Sequence, residues 1–204
     1  LIDGGSDYNY KFDDLTDQYE YQPVGTPKYF PRVLGQATGS KVNTLGTTDY
    51  LYSANYYDDK YRAVQSITQN HKEGFVRVTS NYDFVGKVLI TKRTYKVNGT
   101  TTTLKETFTY DHAGRLLATK HSINGAADVI IAENEYNELG QLVKKNLHSE
   151  DNGANFKQAV DYRYNIRGWL TKLNESNLSG GEAGDPADLF GMELGYNNEL
   201  GAGN

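Results

Sequence analysis

The amino-acid sequence predicts an all-β protein, an antiparallel meander of repeated β-hairpins in a curved, open sheet. The first observation is composition, because 17 Tyr and 21 Gly against 4 Pro in 204 residues favour strands and tight turns. The second is a Tyr-Asp/Asn-x-x-Gly motif whose copies begin 25 to 32 residues apart. The third is a series of Asn-Gly pairs that fall between those copies. We expect about ten to twelve strands joined by alternating turns of these two kinds.

The clearest copy of the motif begins at Tyr110-Asp111 and continues through Gly114-Arg115 to Leu116. We interpret the Tyr as the last residue of a strand and the Asp or Asn as the cap of the turn. The Gly then closes a type I turn with a bulge, and the apolar residue after it restarts a strand. The corresponding residues of the other copies, which we also interpret as structural, are Tyr57 and Asp58; Tyr82, Asp83 and Gly86; Tyr136, Asn137 and Gly140; and Tyr164, Asn165 and Gly168.

The second kind of turn is predicted by Asn-Gly pairs. Asn-Gly between strand-like segments is a strong hairpin signal, because both central residues of a type I′ turn need positive φ. The Asn-Gly pairs are Asn98-Gly99, Asn124-Gly125 and Asn152-Gly153.

Two copies of the first motif are irregular: one carries Tyr61 where the others carry Gly, and a partial copy opens at Tyr196-Asn197.

The composition changes near residue 45, which divides the chain into an N-terminal segment, 1–45, and the repeats, 46–204. The segment holds three of the four prolines and alternates aromatic residues at Tyr8, Tyr10 and Phe12. It is a cover for the first exposed strand edge or a disordered tail; the sequence leaves both open. Its first twenty residues are acidic, with Asp3, Asp7, Asp13, Asp14, Asp17 and Glu20.

The sequence contains no pattern that predicts catalysis, a metal site or a cofactor. It has no Cys, and its four His residues show no metal-binding spacing. Asp13, Asp14 and Asp17 lack EF-hand spacing, and Glu133 with Glu135 reads as exposed strand charge. A net charge of −5 argues against a nucleic-acid partner, and no apolar run is long enough to span a bilayer.

Aromatic side chains supply the one functional lead. Trp169 follows Gly168 at a position that is polar in other copies, so an exposed Trp169 could stack on a sugar ring. Tyr162 and Tyr164 could extend that platform. The alternative, which we favour, is that Trp169 covers the sheet edge or packs on the loop at 175–190. The polar connection at 174–188 lies where an Asn-Gly turn would otherwise fall.

The repeats resemble those of bacterial Rhs/YD-repeat proteins, in particular the segments YDHAGRLL, EYNELGQLVKK and YRYNIRGWLTKLN. The resemblance covers about residues 45–204. It implies a hairpin array that spirals into a hollow shell, in some members around a C-terminal toxin, with carbohydrate binding in others. It also implies a surface or secreted location. Asp185-Pro186-Ala187 departs from the family's autoproteolytic Asp-Pro-x-Gly element, so no catalytic residue carries over.

Two functions remain as expectations. The first is a non-catalytic segment of an Rhs-type shell wall that encloses or displays a partner domain, the rest of the same polypeptide being the partner. The alternative is a carbohydrate-binding surface module that uses exposed aromatic residues. Because the sixth copy is incomplete, we expect the chain to be a fragment whose open edges associate with each other.

Overall fold

The computed structural model describes residues 8–11, 15, 29–178 and 185–196. Within these residues it confirms the predicted fold class, an all-β antiparallel meander of hairpins with twelve strands. The strands are β1 (Gly39–Asn43), β2 (Tyr50–Tyr57), β3 (Ala63–Asn70), β4 (Gly74–Tyr82), β5 (Val88–Val97), β6 (Thr100–Tyr110), β7 (Leu116–Ile123), β8 (Val129–Tyr136), β9 (Leu142–Ser149), β10 (Gln158–Tyr164), β11 (Leu170–Leu173) and β12 (Met192–Glu193).

The order of the strands in the sheet is their order in the chain. The sheet is therefore open, with β1 at one end and β12 at the other. All five residues of β1 are exposed, and β12 has only two residues. No helix within the described ranges has the length and hydropathy needed to cross a membrane.

The Asn-Gly pairs form the predicted turns. Both residues have positive φ in each pair: +47° and +81° at Asn98-Gly99, +51° and +76° at Asn124-Gly125, and +58° and +94° at Asn152-Gly153. The connection from β3 to β4 has no Asn-Gly pair. There Glu73 has the positive φ, and the side chain of Asn70 accepts hydrogen bonds from the backbone N–H groups of Lys72 and Gly74.

The turns of the first motif also have the predicted form. The register shifts by a bulge at the signature tyrosine in four strand pairs, namely at Tyr57, Tyr82, Tyr136 and Tyr164. A type I turn closed by a left-handed residue produces such a bulge, because that residue adds one position to the returning strand.

The first compact unit comprises Leu1–Thr107 with Ser122–Ala126. Its most deeply buried side chains are Val64, Gln65, Ile67 and Thr79, all on β3 and β4. Two of the four are polar, and they satisfy each other: Gln65 Nε2 donates to Thr79 Oγ1 at 3.0 Å. The centre of this unit is therefore held by hydrogen bonds as well as by apolar packing.

The second compact unit comprises Phe108–His121 with Ala127–Asn204. Its buried residues include Ala118, Ile130, Ser149 and Ala159, which are mostly small. The Ser149 hydroxyl donates to Asp151 Oδ1 at 2.6 Å and accepts from the Gly153 N–H at 2.9 Å. The hydrogen bond from Ser149 to Asp151, with further bonds from Asn155, lowers the pKa of the Asp151 carboxyl below its ordinary value.

The described part of the N-terminal segment contacts a face of the first unit's sheet. Tyr10 and Leu15 are buried, and the backbone of Lys11 exchanges two hydrogen bonds with the side chain of Gln65. Strand β1 also falls within residues 1–45 and pairs with β2. Several residues named in the sequence analysis lie outside the described residues. They are Phe12, Asn197 and the acidic residues Asp3, Asp7, Asp13, Asp14, Asp17 and Glu20.

Candidate functional site

Each signature turn is closed by its own Asp or Asn. In the clearest copy the Asp111 N–H donates to the Arg115 carbonyl at 3.0 Å, and the Gly114 N–H donates to the Asp111 carbonyl at 2.9 Å. The Asp111 carboxylate accepts the Arg115 N–H at 2.8 Å and the Arg115 Nε at 2.6 Å. These bonds, the backbone one first, lower the pKa of the Asp111 carboxyl.

The other copies repeat this geometry with different residues. Asn137 accepts the N–H of Gln141 at 2.9 Å, and Asn165 accepts that of Trp169 at 3.0 Å. Asp58 accepts the N–H of Arg62 at 2.8 Å although its turn lacks Gly. There Tyr61 itself takes a φ of +61°, so the irregular copy keeps the turn at the cost of a strained backbone.

The signature tyrosines link each copy to the one before it. In four copies the tyrosine hydroxyl donates to the backbone carbonyl of the residue that lies two positions after the turn's left-handed residue in the preceding copy. These bonds are Tyr82 to Ala63 at 2.9 Å, Tyr136 to Leu116 at 2.9 Å, Tyr164 to Leu142 at 2.8 Å and Tyr196 to Leu170 at 2.9 Å. We call this series of bonds the tyrosine ladder.

The ladder also reveals a turn that the sequence analysis missed. The Tyr57 hydroxyl donates to the Ala37 carbonyl at 2.9 Å, and Ala37 lies two residues after Gly35, whose φ is +83°. The segment before β1 is therefore a further, altered copy of the turn. Its only sequence signal is Gly-Gln-Ala at the spacing of Gly-Arg-Leu, since neither Tyr nor Asp precedes it.

The residue after the turn's left-handed position reaches the next copy. Arg62 stacks over the Tyr82 ring at 4.8 Å and donates to the Asp83 carbonyl at 2.9 Å. Arg115 stacks over the Tyr136 ring at 4.7 Å in the same way. Sequence reasoning interpreted this position only as polar. The signal that it missed is that Arg occupies this position in two copies, at Arg62 and Arg115, and that each of these copies is followed by a copy that begins with Tyr.

Trp169 stands at this same linking position. The ring centroids of Trp169 and Tyr196 are 5.1 Å apart. Trp169 therefore contacts the tyrosine of the next copy, as Arg62 contacts Tyr82 and Arg115 contacts Tyr136. Arg167 also lies 5.3 Å over the Trp169 ring, and 44% of Trp169 remains exposed. Two neighbours therefore already use the indole on which a sugar would stack.

The other two candidate sugar-stacking residues lie on β10. The Tyr164 hydroxyl is part of the ladder, and Tyr162 lies opposite Leu173. Burial raises the pKa of the Tyr162 hydroxyl, and the nearby Tyr164 adds to the effect. Tyr162 and Tyr164 are thus close to each other, whereas the ring contact of Trp169 is with Tyr196.

The first unit contains a cavity of about 290 Å³ that the sequence analysis did not anticipate. Its aromatic wall includes Tyr8, Tyr29, Phe30, Tyr56 and Tyr57, and its polar lining includes Asn9, Thr38 and Asn55. Two of these wall residues, Tyr29 and Tyr56, also meet the ring of Tyr10, and the centroids of the three rings are 5.1 to 5.4 Å apart. No charged side chain is among the described residues that line the cavity. This lining suits an uncharged ligand with an apolar face.

A second cleft, of about 390 Å³, lies in the second unit between β11 and residues 193–196. Its lining includes Arg163 and Lys172, and Lys172 is paired with Glu175 at 2.5 Å and with Glu193 at 3.3 Å. These bonds raise the pKa of the Lys172 ammonium and lower that of the Glu175 carboxyl. A lysine held charged in this way is a structural cation and not a base or nucleophile.

The remaining polar residues considered above are placed as follows. Glu135 lies across from Lys144 and accepts a hydrogen bond from Asn146, so Glu133 and Glu135 face amide and ammonium groups on β9. Across the described ranges, no three acidic or histidine side chains are close enough to hold a metal ion together. Asp185 pairs with Lys144 at 2.9 Å.

No protein-family model matches the chain. No curated protein matches it either.

Proposed function

We propose that this chain is a non-catalytic repeat segment of the Rhs/YD-repeat type, one part of the wall of a β-shell that encloses or displays a partner domain. The observation that carries the proposal is the use made of the repeated residues. Signature Asp and Asn side chains close their own turns, and signature Tyr and Arg side chains hold the neighbouring copy. A motif used in this way serves to extend a wall.

The same reasoning accounts for a repeated motif that supplies no reaction chemistry. The bonds of the signature Asp, Asn, Tyr and Arg side chains described above lie within the array, so repetition adds length and not catalytic groups. The partner in this proposal is the rest of the natural polypeptide, and the location is the cell surface or the exterior. Exposed β1 is then an edge at which further strands pair.

Limited proteolysis of the longest natural polypeptide that carries this chain tests the proposal. We expect the partner domain to resist trypsin while the array is intact and to be cleaved faster when Tyr136→Phe and Tyr164→Phe weaken it. Tyr162→Phe, on the same strand, should leave the protection unchanged. Equal cleavage of the partner domain in all three proteins would show that the array does not shield it.

A second function, carbohydrate binding, is favoured by the neutral aromatic cavity of the first unit. Aromatic rings stack on the apolar faces of pyranose rings, and an Asn amide and hydroxyl groups can bond their hydroxyls. The cavity volume of about 290 Å³ suits one or two sugar rings. The sugar site that we propose for this second function is at Tyr29 and Asn55, and Trp169 remains the candidate that the sequence predicts.

Calorimetric titration with neutral oligosaccharides separates the two sites. If the cavity binds sugar, Tyr29→Ala should weaken affinity at least about tenfold, because a stacking ring is lost. Trp169→Ala and the exposed control Tyr95→Ala should bind as the unmodified chain does. Loss of binding in Trp169→Ala alone would return the site to β10 and β11, and no binding by the folded chain would exclude this second function.

A further inference from the structure

The three Asn-Gly turns bring together two groups that can react with each other without an enzyme. The side-chain amide carbon of Asn is an electrophile, and the backbone nitrogen of the following residue is a nucleophile beside it. Glycine favours their meeting, because it has no Cβ and its backbone can approach another group closely. The turns at Asn98, Asn124 and Asn152 share the same residue pair and a positive φ at both positions. Differences in reactivity between the turns therefore come from their surroundings.

The turn at Asn152 is held at both reacting groups. Asn152 Oδ1 accepts a hydrogen bond from Lys120 Nζ at 3.1 Å. The nucleophile is engaged as well, since the Gly153 N–H donates to the Ser149 hydroxyl at 2.9 Å. A Cβ atom built on Gly153 would meet three side chains at 3.5 to 3.8 Å, so the site is also crowded. Attack at this turn requires two hydrogen bonds to break.

The turn at Asn124 is held at its side chain. Asn124 Oδ1 accepts the backbone N–H of Thr103 at 2.8 Å, and the Asn124 N–H donates to the Thr103 carbonyl at 2.9 Å. These two bonds fix Asn124 to the backbone of β6. The space beside Gly125 is open, because a Cβ atom there would meet nothing within 4 Å. Attack at this turn requires the side chain to leave Thr103.

The turn at Asn98 is held at neither reacting group. Asn98 and Gly99 are both exposed, and a Cβ atom on Gly99 would meet nothing within 4 Å. Within the described part of the chain, no hydrogen bond engages the Asn98 side chain or the Gly99 N–H. The Asn98 N–H donates to the Lys72 carbonyl at 3.3 Å, but this group takes no part in the attack.

We infer that Asn98 is a site of spontaneous deamidation, and that it converts faster than Asn124 and Asn152 while the chain is folded. The Gly99 nitrogen loses its proton to water and attacks Asn98 Cγ, which forms a new C–N bond. The bond from Cγ to the side-chain nitrogen then breaks, and this nitrogen takes a proton from water and leaves as ammonia. Water opens the resulting cyclic imide. Opening at Cγ leaves aspartate, and opening at the main-chain carbonyl leaves isoaspartate.

Both products change the turn between β5 and β6. Aspartate adds a negative charge to it. Isoaspartate carries the main chain through Cβ and Cγ, which lengthens a turn that has only two residues. That turn pairs Val97 with Thr100, so the ladder beside it must shift when the turn is lengthened. This inference goes beyond the proposed wall function and does not depend on it.

Incubation of the folded chain at mildly alkaline pH, followed by tryptic digestion and fragment-ion mass spectrometry, tests the inference. The three turns fall in different tryptic peptides, because Lys105 and Lys145 lie between them. We expect Asn98 to convert at least about fivefold faster than Asn124 or Asn152, the factor that one hydrogen bond of ordinary net strength supplies. An isoaspartate-specific methyltransferase should label the peptide of Asn98 first.

Two controls separate the fold from the local sequence. In concentrated urea the hydrogen bonds are lost and the residue pairs remain, so the three rates should agree within about twofold. Asn98→Gly keeps a residue that accepts positive φ and removes the amide, so the folded variant should lose most of its early ammonia release. Circular dichroism should show that the variant and the incubated chain are folded.

Four outcomes would overturn the inference. The three turns convert at equal rates in the folded chain, or Asn124 or Asn152 converts first. The advantage of Asn98 persists in urea, which would assign it to local sequence instead of the fold. Asn98 stays intact in the folded chain for as long as the urea sample takes to convert completely. None of these outcomes bears on protease protection of a partner domain, so the wall proposal is judged separately.

Discussion

Replacing Gly74 with Ala should destabilise the first unit by at least about 3 kcal/mol, the upper range for a substitution that overfills a packed site. Gly74 begins β4, and a Cβ atom there would lie 1.8 Å from the Lys96 carbonyl oxygen and 2.6 Å from its carbon. Both atoms belong to the backbone of β5, which cannot rotate away as a side chain would. The same oxygen accepts a hydrogen bond from Asn70 at 2.9 Å, which separation of the strands would break.

Gly99→Ala is the matched control. Gly99 has a φ of +81°, and a Cβ there would meet nothing within 4 Å. Its cost is backbone strain alone, about 1 kcal/mol. Urea unfolding measured by circular dichroism compares the two. If both variants lose the same stability, the β4 and β5 backbones are not as close at Gly74 as described.

The contrast between these two glycines explains how far the sequence could predict the fold. The turn at Gly99 follows from Asn98 and Gly99 alone, because positive φ at two adjacent residues is a local property. Gly74 sits in a segment, His-Lys-Glu-Gly-Phe, that reads as an ordinary turn. Its real constraint is the backbone of a strand more than twenty residues later, and residue type alone carries no record of that distance.

The signature turns show the same division. Asp111 caps its turn through bonds to residues no more than four positions away, so the motif alone predicts them. The link from Arg115 to Tyr136 depends on adjacent copies being in register. It was predictable only by comparing each copy with the next. Comparing them would also have shown that Trp169 precedes Tyr196 as Arg115 precedes Tyr136.

The aromatic cavity was beyond sequence reasoning for a different reason. It joins Tyr8 and Tyr29 of the N-terminal segment to Tyr56 of β2. No period relates these residues, and the alternation of Tyr8 and Tyr10 predicts a half-buried strand, which residues 8–11 do not form.

If the tyrosine ladder holds the copies together, removing two of its hydroxyls should loosen the second unit by about 2 kcal/mol. Tyr136→Phe and Tyr164→Phe each keep the ring and remove one bond, to the Leu116 and Leu142 carbonyls respectively. A hydrogen bond of this kind contributes about 1 kcal/mol net. Because an array is stabilised by its neighbour contacts, we expect the double variant to lose roughly the sum.

Tyr162→Phe separates the ladder from the general value of a tyrosine hydroxyl, because Tyr162 lies on β10 two residues before Tyr164 and outside the ladder. Its loss should change the free energy of unfolding by less than about 0.5 kcal/mol. Hydrogen exchange should then show faster exchange in β7 to β10 of the double variant, at amides that are protected in Tyr162→Phe. Equal stability of the two proteins would mean that strand pairing alone holds the copies in register, and the repeated tyrosine would need another explanation.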